Sequence, residues 1–294
     1  MSITQEGNLE SKFEKKPIGL MRSLDQVGAT TKFELRRNVK NSIISLFVAG
    51  FVFVLSLIIN LITESRLGES PETATEYITS YLGMISFFIL IIATMFGGNI
   101  IALDYDKQTG NLLFPKITKG RLFVGRLIAR YLLSVFAVIF YYILVVIVAA
   151  FKYTDLPVET WASLGWALLY TFLVLSLVIF FSSFMKKTST VIVVSLVMVL
   201  LVFNLGSTIL TITGVEIEPL FILTYYSNII TQSFAMPTDR FVEGFLGGPH
   251  PGVDAPTIMQ WITPSIGGAI IGMVIYSAIL LVAAYFLFRR RQQN

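Results

Sequence analysis

The residues that carry chemistry are few in this chain, and their spacing does not assemble a reaction centre. His250 is the only histidine and sits between Pro249 and Pro251, which reads as a loop residue rather than a base or metal ligand. No cysteine is present, which removes thiolate catalysis, disulfides and cysteine metal sites. Neither His-Glu-x-x-His nor Gly-x-Ser-x-Gly occurs, so the common zinc-hydrolase and serine-hydrolase signatures are missing. One stretch has the glycine spacing of a phosphate cradle, Gly120-Arg121-Leu122-Phe123-Val124-Gly125-Arg126-Leu127. It lacks the Lys-Ser/Thr pair that grips phosphate and magnesium, and it precedes a long apolar run instead of following a strand. The expectation is a chain with no catalytic residues, no metal site, and no ATP hydrolysis of its own.

The elements that hold these residues are long and apolar. Of 294 residues, 55% are hydrophobic and 14% charged, whereas a soluble domain carries roughly a quarter charged. A run of about 20 apolar residues is what a helix needs to cross the hydrocarbon core. Inside that core every backbone polar group must be paired within its own segment, so such runs are helices. Six are expected, at residues 43–62, 81–103, 131–151, 161–185, 188–213 and 265–288. The fourth and fifth are separated only by Lys186-Lys187 and must form an antiparallel hairpin. The fold class is therefore all-α and polytopic. A basic leader, residues 1–41, precedes a single transmembrane domain, residues 42–291.

Within the leader, Leu20, Leu24, Val27, Thr31, Leu35 and Val39 recur at helical spacing, with Lys32, Arg36, Arg37 and Lys40 beside them. That pattern predicts an amphipathic helix over residues 20–40 lying in the headgroup layer. Orientation follows from Lys and Arg. Of 22 basic residues, all but Arg66, Lys152 and Arg240 fall in the leader, the second and fourth connections and the tail. Both termini are thus expected in the cytoplasm of a multi-pass plasma-membrane protein. The opposite side is acidic, with Glu64, Glu69, Glu72 and Glu76 in the first loop and Glu216, Glu218, Asp239, Glu243 and Asp254 in the fifth.

Two connections stand out. The second runs Asp104-Tyr105-Asp106-Lys107-Gln108-Thr109-Gly110-Asn111-Leu112-Leu113-Phe114-Pro115. Its first part continues the second span as a helix to about Thr109-Gly110, and a further helix runs from about Lys119 into the third span. Leu112, Leu113, Phe114 and Ile117 lie between, an apolar cluster rimmed by charge that suits docking or folding back on the leader. The fifth connection, residues 214–264, is long for a helical bundle. Its apolar pieces, residues 219–235, 241–246 and 258–262, predict short helices capping the bundle between the fifth and sixth spans.

The order of these features resembles the exporter-type ABC permeases of the type 2 family. In that family the first cytoplasmic loop reads as an acidic residue, basic residues, Gly-Thr, leucines, then Pro before a basic residue. Asp104 to Lys107, Thr109-Gly110, Leu112-Leu113 and Pro115-Lys116 match in order, although aspartates replace the usual Glu and Thr-Gly replaces Gly-Thr. Gly125-Arg126-Leu127 resembles the start of the family's third span, and Phe288-Arg289-Arg290-Arg291 its ending. The resemblance covers about residues 30–291. It implies two paired permease subunits, identical or not, each docking a separate ATP-binding subunit that carries ATP and magnesium. Asp104, Asp106, Lys107, Thr109, Gly110, Leu112, Leu113 and Pro115 would form the coupling loop seated on that subunit. Export would proceed by alternating access.

No Asp, Glu, Lys, Arg or His falls in the expected span cores. Ion-coupled carriers place such groups at membrane depth, so energy is expected from outside the bundle and the cargo is expected to be apolar or amphiphilic. Asn204, Ser207, Thr208 and Thr211 share roughly one face of the fifth span. The resemblance makes that face a substrate-path candidate, and interhelical hydrogen bonding is the plainer reading. Gly268-x-x-x-Gly272 permits close packing within the subunit. Membrane lipid is a partner, and nucleic acid is not expected to be one. The alternative function is a membrane scaffold or assembly protein without transport, which would have no need of a coupling loop.

Overall fold

The computed structural model describes residues 20–68, 71–103, 118–213, 216–245 and 257–290. The chain is an all-α, polytopic membrane protein, and its described residues include six helical segments long and apolar enough to cross a membrane. A leader helix α1 (Leu20–Arg37) leads through Asn38 into α2 (Val39–Leu67), the first crossing. The second crossing is α3 (Ala74–Leu82) followed by α4 (Ile85–Gly97), and the third is α5 (Lys119–Lys152). The fourth is α6 (Glu159–Phe184). The fifth comprises α7 (Thr188–Val197), a π turn (Met198–Phe203) and α8 (Asn204–Thr213). After a short 3₁₀ helix (Leu223–Ser227), α9 (Asn228–Gln232) and strands β1 (Phe241–Phe245) and β2 (Thr257–Trp261), α10 (Ile266–Arg290) makes the sixth crossing.

Local chemistry explains the ends of these helices. Thr73 caps α3 by accepting from the Glu76 amide at 3.2 Å, while the Glu76 carboxylate accepts from the amide of Glu72 at 3.0 Å. The pair is close to a capping box, and the second crossing starts there, seven residues before the expected Tyr81. α2 stops at Gly68, whose left-handed φ of 67° suits glycine and whose amide returns to the Glu64 carbonyl.

The second crossing also ends earlier than expected. Regular helix stops at Gly97 and gives way to turns over residues 98–101. Gly97-Gly98-Asn99 propagates helix poorly, and Ser182 of α6 takes the freed groups. Its hydroxyl accepts from the amides of Ile101 and Ala102 at 3.2 and 3.1 Å and donates to the Gly98 carbonyl at 3.2 Å.

α6 is the central helix, packed against α4, α5, α7 and α10. Some of its hydroxyls are satisfied locally, as where Thr171 and Ser176 donate to carbonyls four residues back, while Ser182 reaches across to the end of the second crossing. By contrast α2, the fifth crossing and α10 turn large apolar side chains outward, among them Phe47, Phe51, Leu205, Ile209 and Ile271. An outward apolar face of that extent is what lipid or a second membrane protein would cover.

The long fifth connection corrects one expectation. Residues 223–232 do form short helices capping the bundle, whereas residues 241–245 and 257–261 form strands instead of helices. β1 and β2 pair antiparallel, with Phe241 opposite Trp261 and Glu243 opposite Met259. Phe241-Val242-Glu243-Gly244-Phe245 mixes aromatic, β-branched and glycine residues that suit a ribbon better than a helix.

Candidate functional site

Contacts between helix ends define two ends of the bundle. The start of α5 meets the end of α10, where Lys119 Nζ donates to the Arg289 carbonyl and Phe123 stacks on Phe288. α1 lies along the same part of α5, so the leader and the last turn of α10 share one end. At the other end Tyr153 OH donates to the Pro71 carbonyl at 2.6 Å, and the Leu223–Gln232 cap sits beside Ser163, which donates to the Ile230 carbonyl at 2.7 Å.

The glycines of the phosphate-cradle lookalike are packing positions at the leader end. A Cβ on Gly125 would lie 2.8 Å from Thr30 Cβ and 3.1 Å from the Val27 carbonyl oxygen. Gly125 therefore lets α1 lie directly on α5, and Thr31 Oγ1 donates to its carbonyl at 3.1 Å. Gly120 faces the Tyr285 ring of α10. With both glycines on a helix and covered by side chains, this stretch offers no cradle for phosphate.

The face that α1 presents to the protein is polar. Among the described side chains, Thr30, Glu34 and the following Asn38, spaced one turn apart, are buried, while Leu24, Phe33 and Val39 at the start of α2 point outward. The leader is thus helical as expected, and the apolar stripe read from the sequence packs in part: Val27, Thr31 and Leu35 lie against the bundle beside the buried polar residues, while Leu24 and Val39 do not. Glu34 is 1% exposed and meets Arg126 and Arg130 of α5, which are 2% and 0% exposed. Glu34 Oε1 is 3.3 Å from Arg126 Nε, and Oε2 is 3.2 Å from Arg130 Nη2 and 2.9 Å from Arg37 Nη2. Desolvated charges such as these hold only with good geometry and added hydrogen bonds. Asn38 supplies one by donating to the Glu34 carboxylate at 3.4 Å and, more closely, to the Glu34 carbonyl at 2.7 Å. Arg126 supplies another, from Nη1 to the Ile100 carbonyl at 2.9 Å. One buried cluster thereby joins the leader, α5 and the segment that leads out of the second crossing.

Asp104, Asp106, Lys107, Thr109, Gly110, Leu112, Leu113 and Pro115 lie outside the described residues. What the structure places is both roots of their loop. The outgoing root, residues 98–103, is held by Ser182 and Arg126. The returning root is the start of α5 at Lys119, where the sequence placed it. Sequence reasoning missed the Glu34 cluster. Its signal was the spacing of Arg126 and Arg130, which puts two cations on one helical face.

Near the other end, a cleft of about 260 Å³ opens between the second, fourth and fifth crossings and the cap. Ser86, Phe87 and Leu90 of α4 form one wall, and Leu200, Asn204 and Ser207 of the fifth crossing face them. Tyr170 of α6 and Thr224, Tyr225 and Asn228 of the cap complete it. The π turn lies just ahead of Asn204. Such turns hold more residues than an α turn and re-aim the helix face beyond them, often at functional sites.

Ser207 also lines a smaller cavity with Thr211, Tyr225 and Trp261. Of the four path candidates, Asn204, Ser207 and Thr211 thus line adjoining cavities. Thr208 lines neither and returns its hydroxyl to the Asn204 carbonyl at 2.9 Å. Gly272 faces the Tyr226 ring of the cap rather than another crossing helix.

Tyr225 closes the cleft on the cap side. Its hydroxyl donates to Glu218 Oε1 at 3.3 Å, and Arg240 Nη1 pairs with the same oxygen at 2.7 Å. Burial first, then the Glu218 carboxylate, holds the Tyr225 hydroxyl well above the usual phenol range. Burial, Tyr276 and Glu218 push Tyr226 up to about 12, and its hydroxyl donates to the Leu220 carbonyl at 2.7 Å. Both stay neutral donors.

Residues 8–292 match the family model described as ABC-2 family transporter protein. No curated protein matches the chain.

Proposed function

The chain belongs to the ABC-2 family of transporter proteins and is a membrane permease component of an ABC transporter; from that premise we propose that it moves its cargo by alternating access, driven by a separate ATP-binding subunit docked at the leader end. The observation that carries this reading is the Glu34–Arg126–Ile100 connection. Docking energy becomes transport only if motion of the loop is transmitted to rigid elements in two discrete arrangements. A buried ionic cluster is suited to that task, because it resists partial separation. Load applied to the loop from Asp104 to Pro115 would pass through Arg126 to α1 and α5, and through Ser182 to α6.

The proposal extends to partners and placement. ATP and magnesium belong to the docked subunit. A second permease subunit, identical or homologous, covers outward faces of the crossing helices. The leader end is cytoplasmic, with both termini there, in the plasma membrane. Leu24 and Phe33 of α1 and Val39 at the start of α2 face the lipid headgroup layer. The division into a leader, residues 1–41, and one transmembrane domain, residues 42–291, follows the same reading. The cleft at Asn204 and Ser207 lies on the substrate path, and the direction is export of an apolar or amphiphilic compound.

The test is affinity purification from native membranes in mild detergent, with mass spectrometry of what co-purifies and an ATPase assay. The expected result is a stoichiometric P-loop ATPase subunit, lost with Asp106→Arg or Leu113→Glu. Purification alone, without ATPase activity, would favour the scaffold reading.

A further inference from the structure

We infer that the cleft between the second and fifth crossings is a binding site for an uncharged, hydroxyl-rich headgroup of single-ring size, carried on an apolar tail. The inference rests on the permease reading and names the class of cargo for the site.

The first argument is charge. Among the described residues, no Asp, Glu, Lys, Arg or His lines the cleft. Glu218 and Arg240, which meet the cleft-lining Tyr225 through its hydroxyl bond to Glu218, neutralise one another at 2.7 Å. A charged headgroup entering this site would shed water without gaining a counter-charge, which costs heavily in a low-dielectric setting. An uncharged polar headgroup pays no such penalty.

The second argument is hydrogen-bonding capacity. Among the described residues, the hydroxyls of Ser86, Ser207 and Thr224 and the carboxamide oxygen of Asn204 carry no hydrogen bond within the protein, although all four residues line the cleft. Elsewhere the helix hydroxyls are commonly spent on carbonyls three or four residues back, as with Thr208 and Thr211. Hydroxyls both donate and accept, so this group suits a ligand that does the same at several positions. Phe87 and Tyr170 add ring faces to the same walls.

The third argument is size and surroundings. About 260 Å³ corresponds to roughly nine waters at ~30 Å³ each, room inside the cleft for one ring. Phe87, Leu200 and Asn204 are exposed at the mouth. Leu201, Leu205 and Ile209 continue outward along the fifth crossing as an exposed apolar stretch. A tail attached to the headgroup would lie against it.

The experiment uses the full chain in phosphatidylcholine nanodiscs doped with equal amounts of monogalactosyldiacylglycerol and phosphatidylglycerol, followed by native mass spectrometry of retained lipid. Free galactose is offered separately. The galactolipid should be retained about tenfold over phosphatidylglycerol, the ratio that one or two unmade hydrogen bonds would produce, and Asn204→Leu with Ser207→Val should abolish the preference. Asn204 is exposed and Ser207 half-exposed, so an unchanged melting temperature checks that the double variant is folded. Ile271→Ala, on the outward face of α10 and away from the cleft, should leave the preference intact. Equal retention of phosphatidylglycerol, or a preference that survives the double variant, overturns the proposal. Free galactose binding as tightly as the lipid overturns the amphiphile part of it. Because retention is scored on this chain alone, an ATP-binding subunit that co-purifies normally beside a failed lipid result would show that the ligand class is wrong while the permease reading stands.

Discussion

Glu34 of the leader helix and Arg126 of the third crossing meet at 3.3 Å with both side chains buried. Arg126 also holds the Ile100 carbonyl, so a residue of the leader is one side chain removed from the start of the loop proposed to dock the ATPase. Removing the carboxylate takes away an ion-pair partner that Arg126, Arg130 and Arg37 share. Glu34→Gln should destabilise the protein by about 3–5 kcal/mol, as for other broken buried pairs, seen as a lower melting temperature in detergent. Glu34→Gln combined with Arg126→Gln should cost less than the sum of the single changes.

Gly125 and Gly120 should respond differently to alanine. At Gly125 the new methyl would fall 2.8 Å from Thr30 Cβ and 3.1 Å from a backbone carbonyl oxygen, so α1 must shift. About 1–3 kcal/mol of destabilisation is expected for such overpacking. At Gly120 the nearest atom is the Tyr285 hydroxyl oxygen at 3.4 Å, the far end of a side chain, and alanine should be nearly neutral. Thermal melts of the two variants side by side provide the check.

Ser182→Ala should loosen the outgoing root of the loop without disturbing the central helix. It removes the acceptor for the Ile101 and Ala102 amides and the donor to Gly98, and unmade buried bonds cost about 1–3 kcal/mol each. Hydrogen exchange should accelerate at Ile101 and Ala102, while amides in the middle of α6 keep their protection.

Alkali should loosen the cap through Tyr226. Its hydroxyl titrates near 12 in the folded protein, against 10.0 for a free phenol. Because the folded value is the higher one, the associated stability is fully present below pH 10 and is lost as pH rises from 10 to 12. A phenolate absorbance titration of wild type minus Tyr226→Phe should show one group ionising near 12, and a difference centred near 10 would contradict the burial argument.

The crossing helices were legible because a long apolar run has few alternatives to a helix in lipid, and the return at Lys186-Lys187 and the helix start at Lys119 fall where expected. Thr73 and Glu76 carried a readable cap that moves the second crossing's start. The ribbon was missed because Phe241–Phe245 and Thr257–Trp261 are short, and short apolar pieces do not declare their periodicity. The polar face of α1 was missed for another reason. Thr30, Glu34 and Asn38 form a stripe at helical spacing, but burying a glutamate is unfavourable unless its cations are supplied from elsewhere, and Arg126 and Arg130 come from a distant part of the chain. At the cleft, the shared face of Asn204 and Ser207 was visible in sequence. The opposing Ser86 and Thr224 belong to elements whose approach only the fold defines, and so does the exclusion of Thr208, which lines neither cavity.

The central claim is that the loop at the leader end seats an ATP-binding subunit, and photo-crosslinking in native membranes tests it most directly. p-Benzoylphenylalanine is placed at Leu113 in the loop or at Phe221, which is exposed near the opposite end. The account predicts an ultraviolet-dependent adduct between the position 113 variant and a P-loop ATPase subunit, with none from position 221. An ATPase adduct from position 221 alone, or from neither position in membranes where the chain is otherwise intact, would contradict it.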